Sequence, residues 1–473
     1  MSASEASSFE RITIESTDQK RFVDLRGGVI SIDYFEDILS PSVTAKMRVI
    51  DTGNTLIKER DESKKTVSDS KLKITNSVDR DGFRQALFTG LPIQGGERID
   101  LKIKDRGTNQ NGEEKVGLDF SSESKKNLYV SGVSQILEET QRESFVLNLV
   151  SKEAITNEIT RVYKRYTGSI SKNVKNILKD PLIFNINDDT ELDKIVEKSL
   201  EDYNFLGNLR KPFTVLITLA SKSVPKNAVG KSAGFVFFQT QDGFQFKSIE
   251  SLISKDPKAN YKYTEINESS ITKNNDFNIL QYSIDKNQDL IDNLRTGSYS
   301  FTRFSFNPLT FEFKQNTYKY SEKNDDKSNS KMNHLGGDGL ELPKLSDDSK
   351  FTLDQVPSRI ISSVVDVGAT FSISQKTNHN LDHFLGQNIM RYNLLNTQNV
   401  SMVVPCNTNL RAGDVINCEF PINSRDENLK LEIDTRISGK YLIRELCHHF
   451  ESKRSFTSMK LIRDSYGIGD KTW

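Results

Sequence analysis

The chain has 473 residues, and its 65 lysines and arginines are balanced by 65 aspartates and glutamates. This length is too great for one hydrophobic core and is typical of about three domains. The formal net charge is zero, whereas proteins that bind nucleic acid usually carry an excess of positive charge. Specific DNA binding is therefore not expected. With no run of eighteen apolar residues and no signal-like start, neither membrane insertion nor secretion is expected.

Residues 1–150 have the alternation of apolar and polar side chains that is typical of half-buried strands. Val43, Ala45, Met47 and Val49, for example, fall on one side of a segment whose other side is polar. We predict strands at 29–35, 43–50, 72–76, 85–92 and 97–104, with polar surface loops at 58–70 and 105–127. Together with the following hairpin they predict a small antiparallel barrel or sandwich.

Residues 128–168 join this β-domain to a helical one. Alternation on both sides of a turn at 137–142 predicts a hairpin. From Ser151 the apolar period changes to three and four residues, through Ile155, Ile159, Val162 and Tyr166. This pattern predicts one long helix that Ser151 caps and that a glycine at position 168 closes.

The helical domain is predicted to span residues 151–233. A second helix carries Val174 and Leu178 and must end before Pro181. A third begins near Thr190 and continues to Leu200, and a fourth is opened by a proline at position 212. Helices this short require tertiary partners.

The rest of the chain is predicted to be a β-rich segment at 234–321, a polar linker at 322–350 and a C-terminal β-domain at 351–473. The β-rich segment contains two hairpins, at 234–249 and 298–314, and the C-terminal domain has one helix at 381–395 followed by strands at 400–405, 413–420, 439–450 and 455–463. The fold class is therefore α+β, mainly β, with a β-domain at each end. Their similar size suggests a duplication, although no repeated motif is visible.

Phenylalanines recur through the second of these hairpins, at positions 301, 304, 306, 311 and 313. Such a series could stack on sugars or bases. Because the residues alternate along strands, a place in the core is the favoured interpretation.

Two groups of residues have the chemistry of a metal site. His379 and His383 lie one helical turn apart, but no glutamate follows the first histidine as in a metalloprotease helix, so a solvated helix start is favoured. Cys406, Cys418 and Cys447 could join His449 around zinc, but the close CxxC pairing of such sites is absent. Free, mostly buried thiols in a reducing compartment are favoured.

Catalytic constellations are also missing. No glycine-rich phosphate loop is present, and the five histidines include His334 in the polar linker and His448 beside His449 in a strand, with no recognisable nucleophile. Acidic pairs at 188–189 and 325–326 could in principle serve a glycosidase, but their context is not distinctive. The sequence therefore predicts no catalytic, cofactor-binding or metal-binding residue and no cofactor.

Several segments resemble the baseplate hub subunit of T4-like contractile-tailed bacteriophages. They are the hairpin and helices at 128–178, residues 23–54 and 87–105 of the N-terminal domain, and residues 391–421 and 438–467 of the C-terminal domain. The resemblance is weak between residues 255 and 371, and the polar linker has no equivalent in the family.

The resemblance implies that the protein is a structural component of the virion tail and that it is synthesised in the bacterial host cytoplasm. It implies two tube-like antiparallel β-barrels per chain and a homotrimer, which joins a sixfold tail tube protein to a threefold central spike protein and contacts other baseplate subunits. DNA would pass through the lumen without specific binding. The alternative from another class is a cell-wall-degrading hydrolase of the tail injection apparatus, but with no catalytic constellation the structural role is favoured.

Overall fold

The computed structural model describes residues 7–59, 82–105, 115–124, 126–139, 142–200, 202–226, 233–264, 275–320, 334–336, 342, 352–366, 368, 382–426 and 432–465. Strands dominate these residues, so the predicted fold class, mainly β with large antiparallel sheets, is confirmed. Among the described residues, no helix is long and apolar enough to cross a membrane.

Strands make up most of the N-terminal part, and helices enter in the middle part. The N-terminal part contains β1 (Ser8–Glu15), β2 (Arg21–Asp24), β3 (Val29–Asp37), β4 (Thr44–Asp51), β5 (Thr55–Glu59), β6 (Gly82–Gln85), α1 (Leu87–Gly90), β7 (Arg98–Lys104), β8 (Leu118–Phe120), β9 (Leu128–Glu139) and β10 (Arg142–Ser151). The middle part contains α2 (Lys152–Ile159), β11 (Arg165–Tyr166), α3 (Ile170–Lys179), α4 (Asp189–Ile195), β12 (Phe205–Leu206), α5 (Pro212–Ala220), β13 (Phe235–Thr240), β14 (Gly243–Ser248) and α6 (Ile249–Ile253).

The remaining elements begin with β15 (Asn260–Lys262), a 3-10 turn (Asn275–Phe277), β16 (Gln281–Asn287), α7 (Leu290–Thr296), β17 (Ser300–Asn307), β18 (Glu312–Lys319) and β19 (Arg359–Val364). They end with α8 (Asp382–Leu394), β20 (Gln398–Pro405), β21 (Val415–Glu419), β22 (Gly439–Glu451) and β23 (Ser455–Arg463). The predicted hairpins, the predicted C-terminal strands and the helices at α3, α5 and α8 are confirmed.

The long helix predicted from Ser151 to residue 168 is wrong beyond Ile159. Thr160 takes an extended backbone conformation, and the Val162 N–H then donates to the Arg210 carbonyl oxygen at 2.9 Å. Val162 and Tyr166 are nevertheless buried in the core of the helical region. Ser151 stands at the N-cap position, but its side chain accepts no capping hydrogen bond. The three- and four-residue spacing therefore identified buried residues correctly and their backbone conformation wrongly.

Three other local predictions need correction. The strand predicted at 85–92 is wrong, because the short helix α1 forms there. A side chain, not a neighbouring strand, accepts the hydrogen bond of the Leu87 N–H, which donates to Asp51 Oδ2 at 2.5 Å. The third helix ends at Ile195, short of the predicted Leu200. The predicted loop at 105–127 contains β8 and a buried lysine at position 115. The strand predicted at 72–76 lies outside the described residues.

The phenylalanine series does not lie in the core as predicted. Phe301 is fully buried, but Phe304 is 37%, Phe311 77% and Phe313 75% exposed. Phe301 belongs to β17 and Phe313 to β18 of a separate sheet of order β18-β17-β19, whose buried apolar cluster lies at the Phe301 end. Alternation alone cannot tell which face of a strand is covered.

The main sheet joins both ends of the chain. Its strands follow the order β16-β20-β23-β22-β3-β4-β10-β9-β7-β1-β2-β5-β6, with β15, β21 and β8 attached at its sides. The C-terminal β22 pairs directly with the N-terminal β3, with His449 opposite Asp33. The predicted domain boundaries stay predictions, but the two terminal parts share one continuous sheet.

A four-strand pattern occurs twice along this sheet. In chain order, β3, β4, β9 and β10 are arranged first-second-fourth-third across the sheet, and β16, β20, β22 and β23 are arranged in the same way. The last two strands of each set form a hairpin. At the two tips an equivalent ion pair spans the turn, Arg142 Nε to Glu139 Oε2 at 2.7 Å and Arg454 Nε to Glu451 Oε2 at 3.0 Å. The duplication suggested by domain size therefore has a counterpart in strand order.

The Glu36 side chain forms hydrogen bonds that stabilise the junction between the two strand sets. Its Oε1 accepts hydrogen bonds from the Tyr34 hydroxyl (2.9 Å) and the Gln241 N–H (2.7 Å), and its Oε2 accepts one from the Ala412 N–H (2.9 Å). Burial raises the pKa of Glu36, although the nearby Arg411 charge and these hydrogen bonds oppose that shift. One carboxylate thus ties β3 to the β13-β14 turn and to the loop before β21.

The same junction predicts the effect of replacing Glu36 with glutamine. Whichever way the amide is turned, its NH2 group faces one of two backbone N–H donors, at Gln241 or Ala412, which loses its acceptor. We expect Glu36→Gln to lower the free energy of unfolding by about 2–3 kcal/mol, measured by chemical denaturation. Glu139→Gln is the matched control, because the Glu139 side chain is 61% exposed, and it should change stability by less than about 0.5 kcal/mol. Equal effects of the two substitutions would contradict this account of the junction.

Candidate functional surface

One face of the doubled sheet is polar and open to solvent. On β3 it carries Ser31, Asp33 and Phe35, which stand opposite Arg48, Lys46 and Thr44 of β4. The residues between them, such as Tyr34 and Met47, are fully buried on the opposite face. The alternation of the sequence therefore separates an apolar, covered face from a polar face, which we call the open face.

The open face continues without a break across the β22-β3 junction. Cys447 lies opposite Phe35, Glu445 lies opposite Asp37, and β23 adds Phe456, Ser458 and Lys460. Two shallow depressions lie on this face, and Lys46 lines both of them. One lies over the first strand set, and the other spans both sets.

Several charges on the open face are paired with one another. Lys460 Nζ lies 2.7 Å from Glu445 Oε2. His449 is hydrogen-bonded through Nδ1 to Asp33, and its Nε2 lies 3.0 Å from Glu451 Oε1. Opposite charges interspersed in this way cancel locally, so the surface lacks the dense positive charge that holds a polyanion.

Two titratable groups on this face, His449 and Cys447, have pKa values that are shifted by their surroundings. The hydrogen bond with Asp33 raises the pKa of His449, and the hydrogen bond with Glu451 adds to the effect. Burial raises the pKa of the Cys447 thiol to about 12, with a further contribution from the Asp33 charge. Cys447 is therefore protonated at neutral pH and is a weak nucleophile.

The cysteines and histidine considered for zinc do not form a site. Cys406 belongs to the core of the N-terminal part and Cys418 to that of the C-terminal part, whereas Cys447 and His449 point to the open face. No group of three or more histidine, cysteine or acidic side chains able to hold a metal occurs within the described parts of the chain. His379 lies outside them, and only the backbone of His383 is described, so that pair remains untested.

The other histidines and acidic pairs have structural contacts. Burial lowers the pKa of His448 to about 3, so it stays neutral. His334 was predicted to be solvated, but its side chain is only 6% exposed, and Nδ1 lies 3.1 Å from Asp464 Oδ2. Asp188 caps α4 through the Thr190 N–H at 2.8 Å. The pair at 325–326 lies outside the described residues.

Sequence reasoning missed the side chains that join the two halves. Asp105 Oδ2 accepts hydrogen bonds from the Thr408 hydroxyl (3.0 Å) and N–H (3.2 Å), and Lys115 Nζ donates to the Cys406 carbonyl at 2.7 Å. These partners are about 300 positions apart along the chain. Asp105 and Lys115 lie outside the strands, after β7 and before β8, so no alternation of apolar and polar residues distinguished them.

Comparison with solved structures finds distant similarities, among them similarities to two tail proteins. A tail protein from Neisseria meningitidis MC58 is 9% identical, with a TM-score of 0.48 over 97% of this chain and 98% of that one. The 43 kDa tail protein of prophage MuSo2 from Shewanella oneidensis is 10% identical, with a TM-score of 0.46 over 96% and 99% of the two chains. Similarity at this level is too low to carry a functional conclusion. No protein-family model matches the chain.

Comparison of sequences gives a more particular relationship. The probable baseplate hub protein gp334 of Vibrio phage KVP40 is 22% identical over 353 residues, which are 72% of this chain and 77% of that protein. The resemblance to the hub subunits of T4-like phages is thereby confirmed.

The hydrogen-bonded His449 predicts a pH-dependent contribution to stability. Because its pKa in the folded protein is raised above the usual 6.5, the contribution is fully present below about pH 6.5 and is lost as pH rises through the folded-state pKa. His449→Gln should therefore be most destabilising below about pH 6.5 and least destabilising in alkaline solution, as measured by thermal unfolding across a pH series. Ser458→Ala, which removes no titratable group, should show a constant difference. An NMR titration that gave His449 a pKa below its usual value would contradict the assignment.

Proposed function

We propose that this chain is the structural hub subunit of a contractile phage-tail baseplate. Three copies form a ring that joins a sixfold tail tube to a threefold central spike, and DNA passes along the lumen. Support for the hub assignment comes from the sequence similarity to a phage protein that is itself named a probable baseplate hub protein.

The tandem arrangement of strands is the observation that carries this proposal. Two sets of four strands in the same spatial order stand side by side in one sheet. A ring of three such chains presents six nearly equivalent sheet modules, so one subunit meets sixfold neighbours on one side and threefold neighbours on the other. Symmetry matching of this kind requires repeated surfaces, and it requires no catalytic group.

The open face has the properties needed for the wall of a DNA conduit. Several of its charges are paired at short range, as between Lys460 and Glu445. A lumen lined with unpaired lysines or arginines would bind the phosphates of passing DNA and slow its movement. A wall with paired charges and small polar side chains, such as Ser401 and Ser458, presents little that could hold the DNA.

A mass measurement tests the proposal. We expect the purified full-length chain, mixed with the central spike protein of the same phage, to give a complex that contains three copies of each, measured by native mass spectrometry or light scattering. A strictly monomeric hub in the presence of that spike protein would contradict the proposal. Release of soluble fragments from purified peptidoglycan by the isolated chain would instead favour the hydrolase alternative.

A further inference from the structure

A basic depression lies in the helical region, on elements that do not belong to the open face. Between Glu158 and Asp180 the sequence has six lysines and arginines and no acidic residue, although the whole chain has equal numbers of basic and acidic side chains. Four of these six cations line a single depression of about 450 Å³, and they are Lys164, Arg165, Lys172 and Lys179. A local excess of one charge sign on a neutral chain indicates a surface that meets the opposite charge.

The chain itself neutralises only part of this positive charge. Lys164 Nζ lies 2.5 Å from Asp180 Oδ2, and Lys179 Nζ lies 2.5 Å from Asp189 Oδ1. The Lys172 side chain is exposed and has no ion-pair partner in the described parts of the chain. Lys172 therefore supplies a positive charge that no described carboxylate neutralises.

Exposed apolar side chains border the depression. Leu182 is 68% exposed and directly follows Pro181, which lines the depression. Tyr163 is 54% exposed, and the Lys164 Nζ lies 5.7 Å from the centre of its ring. A partner that covers Leu182 and Tyr163 removes apolar surface from water in addition to forming ion pairs.

The depression suits the carboxylates of a polypeptide better than the phosphates of a nucleic acid. A nucleic acid is bound through many cations that follow its backbone, whereas these cations surround one depression of about 450 Å³. The Asp180 carboxylate belongs to the lining, and it would repel a dense row of phosphates. The ion pairs of Lys164 and Lys179 show in addition that carboxylates fit beside the cations of this surface.

We propose that this depression binds an acidic segment of another baseplate protein, with a carboxylate of that segment at Lys172 Nζ and its apolar side chains over Leu182 and Tyr163. The inference rests on the proposed hub function, which requires contacts with other proteins of the baseplate, and it adds the surface and the chemistry of one such contact. The first turn of α3 holds Lys172 in place, because its backbone N–H donates to Ser169 Oγ at 3.4 Å.

A peptide-binding measurement tests the site. Fluorescently labelled hexaglutamate should bind saturably to the purified full-length protein at low salt, as measured by fluorescence anisotropy. Lys172→Glu should weaken this binding at least about fivefold, because charge reversal replaces an attraction by a repulsion. The helix should still form in this variant, since a glutamate at the third helical position, after a serine N-cap, is the capping-box arrangement.

Lys198→Glu is the matched control for that substitution. It makes the same change of charge at an exposed position of the helical region that does not line the depression. It should change hexaglutamate binding by less than about twofold, because exposed charges away from the site are screened by solvent and salt. Circular dichroism should show both variants folded.

Zero-length cross-linking tests the partner. A carbodiimide joins a lysine amine to a carboxylate without a spacer, so it links only side chains that are in contact. In tails purified from the phage that encodes this chain, mass spectrometry of the digest should find Lys172 joined to an aspartate or glutamate of another baseplate protein. Lys198 should show no such cross-link.

The outcomes separate this inference from the proposed function. A cross-link from Lys172 to another baseplate protein, together with weaker hexaglutamate binding by Lys172→Glu alone, supports the inference. A Lys172 that stays unlinked, or that is joined only to carboxylates of copies of this chain, overturns it and leaves the hub function standing. Equal effects of the two substitutions, or tighter binding of a DNA duplex of equal charge at the same site, also overturn it. Absence of the chain from purified tails overturns both proposals.

Discussion

The architecture depends on the antiparallel pairing of β3 with β22, which converts two distant parts of the chain into one sheet. A strand junction of this kind has little intrinsic specificity, because a shift of one residue would exchange the two faces. Glu36 supplies the missing specificity. Its buried carboxylate needs donors on three elements at once, and the Gln241 and Ala412 N–H groups reach it only when β3 lies in this register.

Polar groups elsewhere in the interface reinforce the same register. Asp105 with Thr408 and Lys115 with the Cys406 carbonyl are hydrogen bonds made away from water. A buried polar group without a partner costs more than a hydrogen bond gains, so such contacts penalise every alternative packing. Apolar contacts cross the junction as well, since Phe450 of β22 is fully buried in the core of the N-terminal part.

Sequence patterns predicted the local structure well where local interactions determine it. The β9-β10 hairpin, α3 and the proline-initiated α5 follow from alternation, from helical spacing and from the fixed φ of proline. The prediction failed where a distant partner decides the conformation. Val162 has helical spacing but pairs with Arg210, and Phe313 alternates like a core residue although nothing described covers it.

Sequence patterns did not reveal the open face or the repeated four-strand pattern, and the reason is the same for both. Burial constrains only alternate positions, so Leu147 and Leu149 of β10 match Met459 and Leu461 of β23, whereas the intervening residues on the open face are free to differ. Asn148 thus has Lys460 as its counterpart. The insertions also differ: the N-terminal set is interrupted by β5 to β8, and the C-terminal set is interrupted by α7 to α8 and again by β21. No period in residues survives such insertions, so the repeat exists in the spatial order of strands.

That spatial order also explains how a neutral chain can serve as a scaffold. Each strand set presents one covered face that is held by apolar packing and one open face on which several charges are paired with neighbouring side chains, as Asp33 pairs with His449 across the junction. Neither face therefore needs a charged partner to be stable.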